Sequence, residues 1–327
     1  MKLQPYLAAG VMAMAFLSAA VRADPLDPKR VPADAKWVIH LDMDATRRSQ
    51  TWDLLAAKIK QEPEQILQGK IDTMSTDLGI KFPDDVHGVT LFGRGFGEQS
   101  GAILLDAAMD QAKITAALQA NVAFKKISYN SHDILSWFDK DNNKTMYGCF
   151  ATPSLAVMAD SVEQVQAALD VRDGKTASLK PADALATGKG STILLYLAGD
   201  GLEELAKVHP ESPMLAQLNS AWVTISQEEG KLVVRAALNA KTSDAAEQIK
   251  KMAEGVQSFM AMSGGAEGAD HRAKLAAAVM AGLALKTSGQ TLDAELPVSM
   301  ENVASFLNAM PKRGPAGGGP PGAPAHP

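Results

Sequence analysis

The sequence predicts an α+β protein of two related units, each a mainly antiparallel sheet with helices on one face. Three observations lead there. Short runs of alternating apolar and polar residues, joined by Gly-, Asn- or Pro-containing turns, read as successive hairpins. Segments with apolar residues three and four apart follow those hairpins as helices. The strand WVIHLDMD, Trp37 to Asp44, is answered by ILLYLAGD, Ile193 to Asp200, and a helix is expected after each.

The first residues have the order of an export signal: Lys2, an apolar run from Tyr6 to Ala20, then Val21-Arg22-Ala23. Cleavage is expected between Ala23 and Asp24, with no following Cys to carry a lipid anchor. The protein is therefore expected in the periplasm or at the extracellular or envelope surface. No transmembrane span is expected after cleavage, because the next apolar run, Leu275 to Leu285, is short and interrupted by Gly282.

Residues 24–35 carry three prolines and read as a linker. The first unit spans 36–173. Its opening strand puts Trp37, Ile39, Leu41 and Met43 on one face and Val38, His40 and Asp42 on the other, taken as the solvent side. Asp44 is expected to cap a helix to about Lys60 that carries Trp52, Leu55 and Ile59. A second helix starts at Pro63 and ends at Gly79. Strands at Val86–Phe92 and Ala102–Leu105 flank the turn GRGFGEQSG, and Asp110 caps the next helix. Hairpins follow around Asn130-Ser131-His132 and Thr152-Pro153-Ser154, and Ser161 with Gln164 opens another helix.

Residues 174–190 read as a linker, and the second unit spans 191–312. Asp200 is expected to cap a helix from Gly201. A hairpin turns at Glu228-Glu229-Gly230. The next helix is expected to turn Ile249, Met252, Val256 and Phe259 inward. Ser263 to Asp270 reads as a loop, followed by an Ala-rich helix and a last hairpin. Ser299 caps the final helix, with Val303, Phe306 and Leu307 inward. Residues 313–327 form a Pro/Gly-rich tail that cannot build a core. SLAVMADSVEQVQAAL from Ser154 and TLDAELPVSMENVASFL from Thr291 show the internal repeat. The halves differ in an inserted hairpin near Ile134 and an inserted helix near Leu275.

Length and composition exclude several functions. With 327 residues, 46% of them hydrophobic, the chain can build a sizeable core without disulfides, and Cys149 in its apolar setting reads as a buried thiol. A net charge of −5 with no Lys/Arg run gives no footprint for nucleic acid. The 5% of aromatic residues gives no stacking platform for bases or sugars.

The segments VPADAKWVIHLDMDA, DLGIKFPDDVHGVTLFG and ALDVRDGKTASL resemble a family of uncharacterised exported bacterial proteins from planctomycete-type and related bacteria. The resemblance spans most of the mature chain. It implies compartment and architecture and lends no catalytic residues.

The sharpest chemical candidate is the row His40, Asp42 and Asp44, an imidazole and two carboxylates that could bind a divalent metal. The second half has Tyr196, Ala198 and Asp200 at the matching places, so only the helix-start aspartate recurs, as capping requires. GRGFG lacks the following helix of a phosphate loop, and DKDNNK at Asp139 lacks the Gly and Glu of an EF-hand. EGADH at Glu267 and the pair Glu228-Glu229 read as solvated surface. No nucleophile elbow is present, and the histidines are scattered. No catalytic residue, cofactor or metal is therefore expected. The reading is a non-enzymatic binding or interaction module, with an unknown protein or envelope component as partner. The alternatives are a hydrolase whose site is dispersed in sequence and a structural envelope-associated protein.

Overall fold

The structure is a computed structural model that describes residues 26–61, 79–97, 100–140, 142–180, 192–208, 212–266 and 268–309. The expected export signal with its Ala23–Asp24 junction, the helix from Pro63 and the tail from 313 lie outside the described residues.

The strands are β1 (Trp37–Asp42), β2 (Val86–Gly93), β3 (Gly101–Ala107), β4 (Lys125–Tyr129), β5 (His132–Asp139), β6 (Lys144–Phe150), β7 (Leu155–Ala159), β8 (Thr192–Asp200), β9 (Leu218–Glu228), β10 (Lys231–Ala240), β11 (Ala284–Ser288) and β12 (Thr291–Ser299). They form a single antiparallel sheet in the order β11-β12-β10-β9-β8-β1-β2-β3-β7-β6-β5-β4. The two units thus share one sheet, joined where β1 pairs with β8.

The order reads alike outward from that seam. On one side run β1, β2, β3, β7 and β6; on the other run β8, β9, β10, β12 and β11. The register follows the same plan. His40 faces Tyr196 across the seam, His40 faces Thr90 on its other side, and Tyr196 faces Thr224. Cross-strand partners share a face, so these four side chains form one row, and all four are buried.

Eight helices appear among the described residues. They are α1 (Met43–Arg47), α2 (Gln50–Gln61), α3 (Gln111–Gln119), α4 (Val162–Arg172), α5 (Leu202–Val208), α6 (Ser243–Gly265), α7 (His271–Met280) and α8 (Met300–Ala309). The largest core lies over the first-half strands. Val165, Ala168 and Leu169 of α4 pack there on Phe92, Val157 and Tyr196, with Leu26 and Val31 from the segment before β1. A second cluster joins Met43 and Ile114 of α1 and α3 to Val86 and Ala107, with Leu41, Val89 and Leu105 against it. Leu41, Val89 and Leu105 are cross-strand neighbours on the face opposite His40, so helices cover both faces here. A third cluster sets Ala245, Ala246 and Ile249 of α6 against Leu292, with Leu238 and Leu285 packed on it.

Several caps form as the sequence specifies. Asp110 accepts from Lys113 N at 3.0 Å, Ser161 from Gln164 N at 3.3 Å and Ser299 from Asn302 N at 3.2 Å. Cys149 is buried, and burial pushes its thiol up to about 11.

Other expectations are corrected. Asp42, not Asp44, caps the first helix: β1 ends there, and its carboxylate accepts from Ala45 N at 2.7 Å. The helix then stops at Arg47 and restarts at Gln50, where Ser49 Oγ accepts from Trp52 N. In the second half Asp200 stays in β8, and Gly201, at φ 66°, makes the turn into α5 without a side-chain cap from Asp200. Residues 263–265 extend α6 instead of forming a loop. The glycine-rich turn after β2 is a structural joint: Trp37 Nε1 donates to Gly95 O at 2.9 Å, and Phe96 packs on the third cluster.

Gly93 is required at that joint, because a Cβ there would stand 2.4 Å from the Trp37 indole. Gly93→Ala is expected to lower stability by about 1–3 kcal/mol, as overpacking does. Urea unfolding followed by Trp fluorescence checks this, and an unchanged midpoint would place Trp37 elsewhere.

Candidate functional site

The row His40, Asp42 and Asp44 does not assemble into a site. His40 and Asp42 share a face of β1, but that face is the buried one, at 6% and 5% exposure, and not the solvent side. The reason is position: β1 is central in the sheet, so both of its faces are covered. Asp42 is committed to the helix cap, and burial pushes its carboxyl above the ordinary range. Asp44 lies within α1, where it meets the Arg47 guanidinium and His87 Nδ1 at 3.1 Å. No group of three or more His, Cys, Asp or Glu side chains among the described residues is placed to hold a metal ion.

His40 instead belongs to a polar pocket assembled from distant parts of the chain. Its Nδ1 lies 2.8 Å from Thr90 Oγ1 on β2. Asp106 of β3 lines the same pocket and accepts from Arg30 at 3.0 Å, and Arg30 also binds Asp27 at 3.1 Å. Arg30 stands in a 3₁₀ turn, Pro28–Arg30, whose flanking Leu26 and Val31 are anchored in the main core. His40 Nε2 and Asp106 Oδ1 are both buried without a protein partner. The enclosed space is about 20 Å³, room for one water. Water could accept from the imidazole N–H and donate to the carboxylate, so the pocket suits a bridging water better than a substrate. Burial, with the nearby Arg30 charge, lowers the His40 pKa to about 4, so the ring is neutral at pH 7.

The other polar clusters of the sequence make local contacts where they are described, and Glu267 lies outside the described residues. Asn142 bonds Asp139 at the tip between β5 and β6. Asp270 caps α7, accepting from Ala273 N at 2.7 Å, while its neighbour His271 is exposed. Glu228 is half-buried and not simply solvated: it forks onto Arg235, which also holds Glu295 at 2.9 Å.

A larger concavity lies among the helices of the second half. It is a groove of about 460 Å³ between α6, α7 and α8. α6 supplies Met260, α7 supplies Leu275, Val279 and Met280, and α8 supplies Phe306 and Ala309. The geometry has local causes. α6 and α7 fold back on each other so closely at Gly264 that a Cβ there would stand 2.3 Å from Ala277 Cβ. The other end is fastened by Gln257, which donates to the Met280 and Leu283 carbonyls at 2.9 and 3.2 Å.

The apolar stripe of α6 diverges from its expected direction along its length. Ile249 is buried, but Met252, Val256 and Phe259 are 56%, 49% and 66% exposed, and Phe306 of α8 is 58% exposed. α6 has 23 residues, and only its first part packs on the sheet.

No family model and no curated protein matches the chain. Among solved structures it is similar to TP0453. Crystal forms III, I and IV give TM-scores of 0.46, 0.41 and 0.46 at 10%, 10% and 11% identity. The matches cover 88%, 86% and 89% of this chain and 100%, 98% and 100% of the other. Identity this low transfers no residue role.

The pocket around His40 has a measurable consequence. The folded ring holds its proton less readily than an ordinary imidazole, which titrates at 6.5, so His40 favours folding fully above pH 6.5. That contribution is lost as pH falls towards 4, by about 3 kcal/mol at most. Asp42 acts in the opposite sense near its own titration and cancels when two proteins that both contain it are compared. Wild type is therefore expected to lose more stability than His40→Gln between pH 6.5 and pH 4. Parallel urea titrations check this, and identical pH slopes would contradict it.

Proposed function

We propose that the protein is an exported, non-enzymatic binding module of the cell envelope that takes an apolar ligand in the groove between α6, α7 and α8. The observation that carries this reading is the groove itself: about 460 Å³ of space walled almost wholly by apolar side chains. That volume lies within the range of roughly 300–1,000 Å³ typical of small-molecule sites. Phe306, one of its walls, is 58% exposed, so an apolar ring stands open at the groove.

The hydrolase alternative has less support. The strongly perturbed imidazole, His40, fronts a space of about 20 Å³, too small to admit a substrate. Export rests on the sequence order before Asp24. No helix among the described residues is long and apolar enough to cross a membrane.

The same reading includes an internal duplication. The matching strand order on the two sides of the seam supports it, as do the matched caps Ser161 and Ser299. In the first half the step between α3 and β6 is filled by the hairpin β4–β5; in the second half the step between α6 and β11 is filled by α7. The groove is built on that departure from the common plan.

The test is a fluorescence titration with Nile red, an uncharged apolar dye, on the mature chain. Saturable binding is expected in wild type. Ala276→Trp, which fills the groove from α7, is expected to reduce it at least tenfold while leaving the thermal midpoint within a few degrees. Dye binding that survives this substitution would remove the groove as the site.

A further inference from the structure

We propose that the natural guest of the groove is a monomeric long-chain fatty acid, its hydrocarbon tail among the methionines and its carboxylate at Arg272. The inference rests on the binding reading above and adds the chemistry of the ligand.

The tail follows from shape and softness. The groove, at about 460 Å³, has the size of a site for one small apolar guest, roughly 300–1,000 Å³. Met260 and Met280 are unbranched and flexible, and side chains of that kind conform to a guest that itself has many rotamers. No described residue of the wall other than Arg272 supplies the fixed polar contacts that a sugar, a nucleotide or a peptide backbone needs.

The head follows from charge. Arg272 is the charged residue among those lining the groove, and it is exposed, so it stands at the rim and not in the floor. It has no carboxylate partner among the described residues. Asp270, two positions away, turns its carboxylate to Ala273 N as the helix cap. Arg272 also sits in the first turn of α7, where the partial positive charge of the helix end disfavours a cation and favours an anion. A carboxylate at the rim would answer both: it can take two N–H groups of the guanidinium and offset the charge of the helix end. An uncharged hydrocarbon would leave that arginine in an unfavourable place with nothing opposite it.

The experiment is displacement of bound Nile red from the full mature protein by palmitate and by hexadecanol, both below their aggregation limits. Palmitate is expected to displace the dye at about tenfold lower concentration than the alcohol. Arg272→Gln is expected to remove that preference by weakening palmitate about tenfold and leaving hexadecanol unchanged. Arg272→Lys, which keeps the charge and loses the fork, is expected to recover part of the preference. If the dye binds and Ala276→Trp blocks it, but palmitate does not compete, the fatty-acid inference fails and the groove reading stands. Equal potency of palmitate and hexadecanol, unaffected by Arg272→Gln, overturns the role of Arg272. If the dye itself does not bind, both readings fall together.

Discussion

The pairing of β1 with β8 is the contact on which the architecture depends. Each strand opens its half of the chain, and each would be an open edge if the halves were separate. Joined, they become the middle of a twelve-stranded sheet. The backbone groups of both are then satisfied on both sides, and the polar face of β1 is carried into the interior. That single fact accounts for the fate of His40. In a half-solvated strand the imidazole would be wet and ordinary; at the seam it is enclosed between Thr90 and Tyr196 and loses its affinity for a proton.

Much of the framework was legible in the residues because it is built from local rules. The hairpins follow turn chemistry, as at Asn130, with φ 53°, and Gly230, with φ 73°. The caps at Asp110, Ser161 and Ser299 follow from a small polar residue before an apolar helix. The likeness of WVIHLDMD to ILLYLAGD was visible, and the two segments prove to be direct neighbours. What failed depended on distance. Whether Asp42 or Asp44 caps the helix is decided by where the ladder to β2 ends, and Asp42 is its last rung, opposite Gly88. The pocket at His40 needs Arg30 and Asp106, 76 positions apart, and no spacing rule joins them.

The groove was hidden for a related reason. Periodicity on α6 says that one side is apolar; it does not say what that side meets. Along the helix the answer changes, from the sheet at Ile249 to partial solvent at Phe259. The decisive residue is Gly264, whose missing side chain lets α7 lie close and sets the width of the cleft. In the sequence that glycine looks like the start of a loop, because Gly264-Gly265 is a poor helix continuation by propensity. Tight interhelical packing overrides the propensity, and α6 runs on to Gly265 where a loop was expected.

Among the described residues the sheet ends in β11 on one side and β4 on the other. Each presents a row of amides and carbonyls to which another chain could add. Lys286 sits in the one, and Lys125 and Lys126 in the other. β4 is only five residues long, and of its two lysines Lys126 is paired with Asp133 at 2.8 Å, so Lys125 is the charge that a second β4 would meet. The same hydrogen-bonding capacity that joins the two halves at the centre is thereby met at the margins by short strands carrying charge.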